Sequence, residues 1–482
     1  MSELNRRTLL RRAAAAAGGA ALGGPFLGFV NRAALAAPPD DYGIPEFRRL
    51  RGIPDLRDGA VRLQLPEGFQ YRSFHDTTTP IILDDGARLP GRHDGMGAFR
   101  GPNGNVVLVR NHEVAGSGTA FGDVSLAYDR AALGGTTTVE VTPFGEVVRS
   151  YASLNGTMSN CSGGQMPWGS WISCEETVNG PDVGPDFSHQ PNDKLTRPHG
   201  YIFEVPVTGE SDRQPITAAG RFAHESVAFD PHEGALYLTE DDFGFASGFY
   251  RYKPKNNPMQ TGRLDNEGRL QMLRVKGQPN ANLAAAQPLR ATYEVEWVDI
   301  DDPTHAHRTG NTNEDALMYV ANQGWEQGAA YFSRLEGSAY DNGVVYFTAT
   351  QGGGPAETST GPIADGFGNG WGQVWAYHTE AQILQLVYES PDRDTLDFPD
   401  NVTTSPRGTI ILCEDHDVDN YLRGLTRGGH LFDIARNAIP GRTNEEFAGS
   451  TFSPDGHTLF VNIQASAGLT FAIWGPWERI GV

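Results

Sequence analysis

The sequence predicts an all-β protein, a six-bladed β-propeller, on three observations. One turn-and-strand unit recurs six times, turn residues return every 8–12 positions, and long helical periodicity is almost absent. Two packed β-sandwiches would account for the strands but not for six copies of one unit.

The unit is a Pro-x-Gly-like turn followed by a short β-branched or aromatic strand. Pro102–Gly104 precedes Val106–Val109, Pro167–Gly169 precedes Trp171–Ile172, and Pro231–Gly234 precedes Leu236–Leu238. Asn342–Gly343 precedes Val344–Phe347, Pro406–Gly408 precedes Ile410–Leu412, and Pro454–Gly456 precedes Leu459–Val461. The glycines are spaced by 65, 65, 109, 65 and 48 residues. Each unit holds further short strands, such as Gly200–Val205, Gly372–Tyr377 and Gly429–Ile434. The long interval carries a polar insertion around Lys253 to Pro288 and a helix expected over Asn313–Gln323, capped by Thr312.

The N-terminus reads as an address. Arg6-Arg7 precedes an uncharged, Ala- and Gly-rich run from Ala13 to Val30, interrupted by Pro25, and Ala34-Leu35-Ala36 offers a cleavage site. A membrane span needs about 20 strongly apolar residues, and this run falls short. Residues 1–36 therefore read as a twin-arginine signal peptide and residues 37–482 as one propeller domain, periplasmic or extracellular. That export machinery carries folded proteins, often with a metal or cofactor already loaded. No later stretch is apolar enough to insert stably in a bilayer, and a monomer is expected.

The whole chain carries a formal charge of −21; residues 1–36 hold five arginines and one glutamate, so the remainder carries −25. Such a surface repels nucleic acid and anionic lipid. It can still receive an anion where bound cations invert the local field. Three cysteines, Cys161, Cys174 and Cys413, are too few and too odd in number for a disulfide framework.

The acidic residues keep register with the repeat. Just after the post-turn strand stand Arg110–Glu113, Glu175-Glu176, Glu240–Asp242, Ala349-Thr350, Glu414–Asp417 and Asn462. Seven to nine residues before the turn glycines stand Cys161, Glu225, Glu336 and Asp400-Asn401. In a meandering blade these two places share one face, so the groups converge on the mouth of the central channel. Carboxylates brought together without lysines do not all ionise unless cations sit among them. Carboxylates and amides suit calcium, whereas a thiolate such as Cys161 invites a transition metal. Asp415-x-Asp417-x-Asp419 opens like a calcium loop but lacks the glycine and glutamate of an EF-hand.

The motifs Asn160–Gly164, Pro167–Glu176, Gly220–Glu225, Phe332–Gly337, Pro399–Asn401, Cys413–His416, Phe452–Gly456 and Phe460–Gln464 together resemble the PhoX-type alkaline phosphatases. The resemblance spans nearly all of residues 37–482, although this chain is shorter than the best-known members. It implies two ferric ions and three calcium ions at the channel mouth. By motif match, Cys161 is the thiolate iron ligand, and Glu225 and Glu336 are iron or iron–calcium carboxylates. Glu176, Glu113 and Asp415 hold calcium, with Glu414 and Asp242 as further carboxylates. Arg334 clasps the phosphate oxygens, a role suited to its fork, and with Cys161 and Glu336 forms the expected catalytic set. The resemblance implies small phosphate esters as substrates.

Two rivals share the fold: a calcium-dependent lactonase, and a non-catalytic propeller stabilised by calcium. The lactonase has no use for Cys161 or Arg334, and the non-catalytic propeller would tolerate loss of Arg334. The sequence holds no G-x-S-x-G, H-E-x-x-H or P-loop motif.

Overall fold

A computed structural model of the chain describes residues 49–186, 192–355 and 368–482. The expected signal peptide lies outside them. The six turn glycines, from Gly104 to Gly456, all adopt φ between 66° and 88°, a region that strains any residue with a Cβ. Each turn joins the first two strands of one blade.

Blade one comprises His93–Arg100, Val106–His112, Gly134–Val141 and Val147–Thr157, antiparallel throughout. Blade two has three strands, Asn160–Met166, Ser170–Glu175 and Ile202–Pro206. Blade three runs from His224–Asp230 through Ala235–Glu240 and Phe249–Pro254 to Gly268–Val275 and Thr292–Asp299. Blade four comprises Leu335–Asp341, Val344–Ala349, Gln373–His378 and Ile383–Glu389. Its last strand pairs with Thr292–Asp299, joining blades three and four at their outer edges. Blade five holds Pro399–Thr404, Ile410–Glu414, Tyr421–Leu425 and Leu431–Asn437, and is extended outward by Val61–Leu65 and Arg51–Pro54. Blade six is Phe447–Phe452, Thr458–Ile463 and Leu469–Trp474, completed by Gln70–Phe74 from the start of the chain.

The innermost strand of each blade packs on that of the next, and blade six packs back on blade one. The ring is therefore closed, and an N-terminal strand seals its seam, as the propeller reading requires. Side chains interleave between neighbouring sheets. Ile411, Leu459, Val461 and Phe471 fill the space between blades five and six, and Phe249 stacks on Phe347 between blades three and four with ring centroids 4.3 Å apart. Each such side chain, fully buried, contributes about 1.5–3 kcal/mol.

The helix in the long interval runs Asn313–Glu326, one turn further than expected. Thr312 caps it, and Asp315 returns a bond to the Thr312 N–H to complete a capping box. The polar insertion is partly regular: Pro258–Thr261 makes one helical turn and Gly268–Val275 is a strand. That strand escapes a hydropathy reading because Arg269, Gln271 and Arg274 interleave with Leu270, Met272 and Val275. Among the described residues, no helix is long and apolar enough to cross a membrane.

Candidate metal centre

All six inner strands break their pairing at the same place. The ladder skips two residues between His93 and Met96, Asn160 and Gly163, His224 and Val227, Leu335 and Ser338, Pro399 and Val402, and Ala448 and Thr451. A bulge releases its residue from the ladder and re-aims it. In blades one to five the first released residue is Asp94, Cys161, Glu225, Glu336 or Asp400, and each lines one cavity of about 1580 Å³ at the channel mouth. In blade six that place is Gly449, whose Cβ would come within 2.3 Å of the Asp94 carbonyl oxygen. Glu446, just ahead of the strand, lines the cavity instead.

A second ring comes from the residue that follows each second strand: Glu113, Glu176, Asp241, Thr350, Asp415 and Gln464. Each donates its backbone N–H to the residue that precedes an inner strand: Arg92, Ser159, Ala223, Arg334, Phe398 and Glu446, over 2.9–3.2 Å. Four of these acceptors, Arg92, Ser159, Arg334 and Phe398, have φ of 44–46°. Non-glycine backbone is strained there, and the repetition ties the strain to the mouth.

The structure thus brings Cys161, Glu225, Glu336, Glu176, Glu113, Asp415 and Arg334 to one cavity. It does not bring Glu414. Successive strand residues face opposite ways, so of Glu175-Glu176, Glu240-Asp241 and Glu414-Asp415 only the second residue reaches the mouth. Glu414 turns away to accept from Arg423 Nε at 3.2 Å and Nη2 at 3.1 Å. Its counterpart Glu240 accepts from Tyr250 Oη at 2.8 Å. Asp242 lines the cavity, but its Oδ1 is taken by the N–H groups of Gly244 and Phe245 at 3.0 and 3.2 Å, shaping the turn that carries Phe243. Asp94, Asp241, Asp400 and Glu446 complete the set. Alignment on the turn glycine already places Asp400 and the stretch that holds Asp241; alignment on the bulge adds Asp94.

Glu225 belongs to two groups of donors. Cys161, Glu176 and Glu225 each place a ligand atom within 4.8 Å of the others, and so do Glu225, Glu336 and Asp400. The two rings and the pre-strand places supply nine carboxylates and one thiol against two guanidinium groups, Arg92 and Arg334. Burial and mutual repulsion push Asp94, Glu176, Glu225, Glu336 and Glu446 well above the usual carboxylate range. Burial, with Asp415 nearby, raises Asp400 to about 7. The Cys161 thiol is raised by burial and by Glu225 and Glu176. Asp94 Oδ1 is buried without a hydrogen-bond partner. This donor set fits a cluster of cations: oxygens for hard ions such as calcium, and one sulfur for a transition metal.

Arg334 sits among these acids with its fork on Asp241, Nε to Oδ1 at 3.0 Å and Nη2 to Oδ2 at 2.8 Å. Nη2 also reaches Glu336 Oε1 at 2.8 Å, and the ring of Phe243 covers the guanidinium face at 3.8 Å. The bulges are held from the preceding blade. Asn111 donates to the Cys161 carbonyl at 3.0 Å, Thr239 to Glu336 at 2.6 Å, Thr348 to Asp400 at 2.7 Å and Asn462 to Asp94 at 2.5 Å. Cys174 and Cys413 occupy the same strand place in blades two and five.

Residues 52–467 match the family described as alkaline phosphatase PhoX. Comparison with curated proteins finds no match. Among solved structures, the chain is similar to Pseudomonas fluorescens PhoX in complex with vanadate, a transition state analogue. That alignment has a TM-score of 0.64 at 16% identity and covers 89% of this chain and 98% of that one. A gluconolactonase from Xanthomonas campestris aligns with a TM-score of 0.40 at 11% identity, covering 88% and 97%. The calcium-binding protein regucalcin from Agrobacterium tumefaciens aligns with a TM-score of 0.38 at 11% identity, covering 83% and 95%. A match that reaches all six blades, from residue 52 to residue 467, makes the chain a member of the PhoX alkaline phosphatase family.

Proposed function

We propose that the protein is a metal-dependent phosphatase that hydrolyses phosphate monoesters at alkaline pH and releases inorganic phosphate. The observation that carries the reading is Arg334 set within the carboxylate–thiol ring, beside Glu336. A phosphate dianion entering this acidic chain needs concentrated positive charge. Arg334 supplies one fixed part of it, since its Nη1 makes no hydrogen bond among the described residues. Asp241, Glu336 and Phe243 hold the guanidinium in place before substrate arrives, which is how a charge clamp favours the transition state over the ground state.

Cys161, Glu225, Glu336, Glu176 and Asp400 are the residues that would hold ferric iron, Glu176 leaving the calcium set expected from the motifs because its carboxylate shares one donor group with Cys161 and Glu225; Asp94, Glu113, Asp415 and Glu446 would hold calcium. When bound, such cations supply the charge that offsets the phosphoryl oxygens as phosphorus is attacked. The Asn111, Thr239, Thr348 and Asn462 bonds to the bulge carbonyls hold the backbone that carries Cys161, Glu336, Asp400 and Asp94. Because burial has raised the acids, they accept cations more readily as pH rises, in keeping with an alkaline optimum.

The test is release of phosphate from 4-nitrophenyl phosphate across pH 6–10, with and without a calcium chelator. Activity lost on chelation supports the reading. Lactone hydrolysis without phosphate release would replace it with the calcium-lactonase reading. We also propose twin-arginine export to the periplasm or beyond, on Arg6-Arg7 and the Ala34–Ala36 exit. Cells carrying Arg6→Lys with Arg7→Lys should retain the protein in the cytoplasm; normal export of that variant overturns the assignment.

A further inference from the structure

Arg334 has a counterpart. Arg92 stands at the same place in blade one that Arg334 holds in blade four, two residues before a bulge acid, Asp94 or Glu336. Both have left-handed φ, 46° and 44°, and both line the cavity. The inner strands run in order round the ring, so blades one and four lie across the channel from one another.

The two arginines differ in how far the protein neutralises them. Arg334 is shared between two carboxylates, and its side chain is 11% exposed. Arg92 has one carboxylate, Glu113, which accepts from its Nε at 3.0 Å and from its Nη2. Its other side-chain partners are the Glu113 carbonyl and Gln464 Oε1, at 2.6 and 3.1 Å. Gln464 holds in blade six the place that Asp241 holds in blade three, the strand end of the preceding blade. A neutral amide therefore stands where Arg334 meets a carboxylate. The Arg92 side chain is 41% exposed, and its Nη1 has no hydrogen bond among the described residues.

We propose that Arg92 is a second anion-binding residue of this cavity, reading a second anionic group on the alcohol of the substrate. The inference rests on the phosphatase reading and narrows it. Preferred substrates are phosphate monoesters whose leaving alcohol carries another phosphate or a carboxylate, spanning the mouth from Arg334 to Arg92. The cavity, at about 1580 Å³, has room for such a molecule.

The test compares fructose 1,6-bisphosphate with 4-nitrophenyl phosphate on the metal-loaded wild type, Arg92→Gln and Arg92→Lys. Loss of a charge-assisted hydrogen bond in Arg92→Gln should raise KM for the bisphosphate about tenfold or more, with a much smaller change in kcat. The shift for 4-nitrophenyl phosphate should be much smaller, and Arg92→Lys should recover part of the difference. The bisphosphate KM should also climb more steeply with salt in the wild type than in Arg92→Gln. Equal losses on both esters, or iron and calcium lost from Arg92→Gln by elemental analysis, would mean that Arg92 serves only to position Glu113, and would overturn the proposal. A wild type that releases phosphate from neither ester overturns the phosphatase reading and this inference with it.

Discussion

Arg334 and Asp241 meet fork to carboxylate from neighbouring blades, at 3.0 and 2.8 Å, beneath the ring of Phe243. Such a pair fixes the guanidinium plane as well as its charge. Arg334→Ala should lower kcat/KM for 4-nitrophenyl phosphate by on the order of 10²-fold or more. Arg334→Lys should recover little, because an ammonium cannot hold Asp241 in two places. Near-wild-type kinetics in either variant would remove Arg334 from the reaction.

Colour provides a check on Cys161 that does not depend on turnover. A thiolate bound to ferric iron absorbs visible light, whereas calcium and zinc sites are colourless. The purified protein should be coloured and contain iron with calcium, and Cys161→Ser should bleach it. Cys174→Ser and Cys413→Ser should keep the band, because those thiols sit in the strands behind the ring rather than in a bulge. A colourless, fully active, iron-free enzyme would make Cys161 an ordinary buried thiol.

Removing cations should destabilise the fold, and more so at high pH. Asp94, Glu113, Glu176, Glu225, Glu336, Asp415 and Glu446 titrate above their unfolded values, and Asp400 at about 7. A raised acid favours the folded state only while protonated, so without cations stability falls as pH climbs from about 4 through 7 and beyond. Chelated protein should therefore melt further below the loaded form at pH 8 than at pH 5. Equal melting-point losses at both pH values would mean that the acids do not repel one another as placed.

His199 offers a second pH signature, behind the ring. Burial alone would lower it, but Glu175 at 2.6 Å and Asp129 at 3.7 Å outweigh that and hold the imidazole up at about 9. The charged form thus stabilises the fold fully below about 6.5, and the contribution fades as pH rises through 9, a swing of about 3 kcal/mol. His199→Gln should cost the loaded protein most near pH 6 and least near pH 10 in denaturant titrations. A pH-independent cost would assign His199 to packing alone.

Much of this molecule is legible in its sequence because the propeller repeats. The turn glycines must take left-handed φ, and that need marks every blade hairpin before any contact is known. The consecutive acids were harder to resolve. Glu175-Glu176 and Glu414-Asp415 look alike on paper, and only the alternation of a strand sends Glu176 and Asp415 inward while Glu175 finds His199 and Glu414 finds Arg423. Asp94 lies ten residues before Gly104, outside the seven-to-nine-residue window that holds the other bulge residues, and Asp241 stands between two further acids, Glu240 and Asp242, so that only the fold sets it on Arg334. Glu446 breaks the pattern altogether, replacing a bulge acid where Gly449 must let the Asp94 carbonyl pass.

The seam between Gln70–Phe74 and Leu469–Trp474 would make cation capture a late event in the life of each chain. The cavity acids come from blades one to five and from the approach to blade six, the first at Asp94 and the last at Glu446, so on the proposed reading a nascent chain lacking its final blade has no complete centre to load. Pairing the two ends closes the longest loop available to the polypeptide, a slow step in folding. Ions that bind only the closed ring then act as a clasp, stabilising it by mass action. Retained metal becomes a report that the ring has shut, and a chain cut within blade six should emerge from the ribosome empty, whatever the concentration of iron and calcium around it.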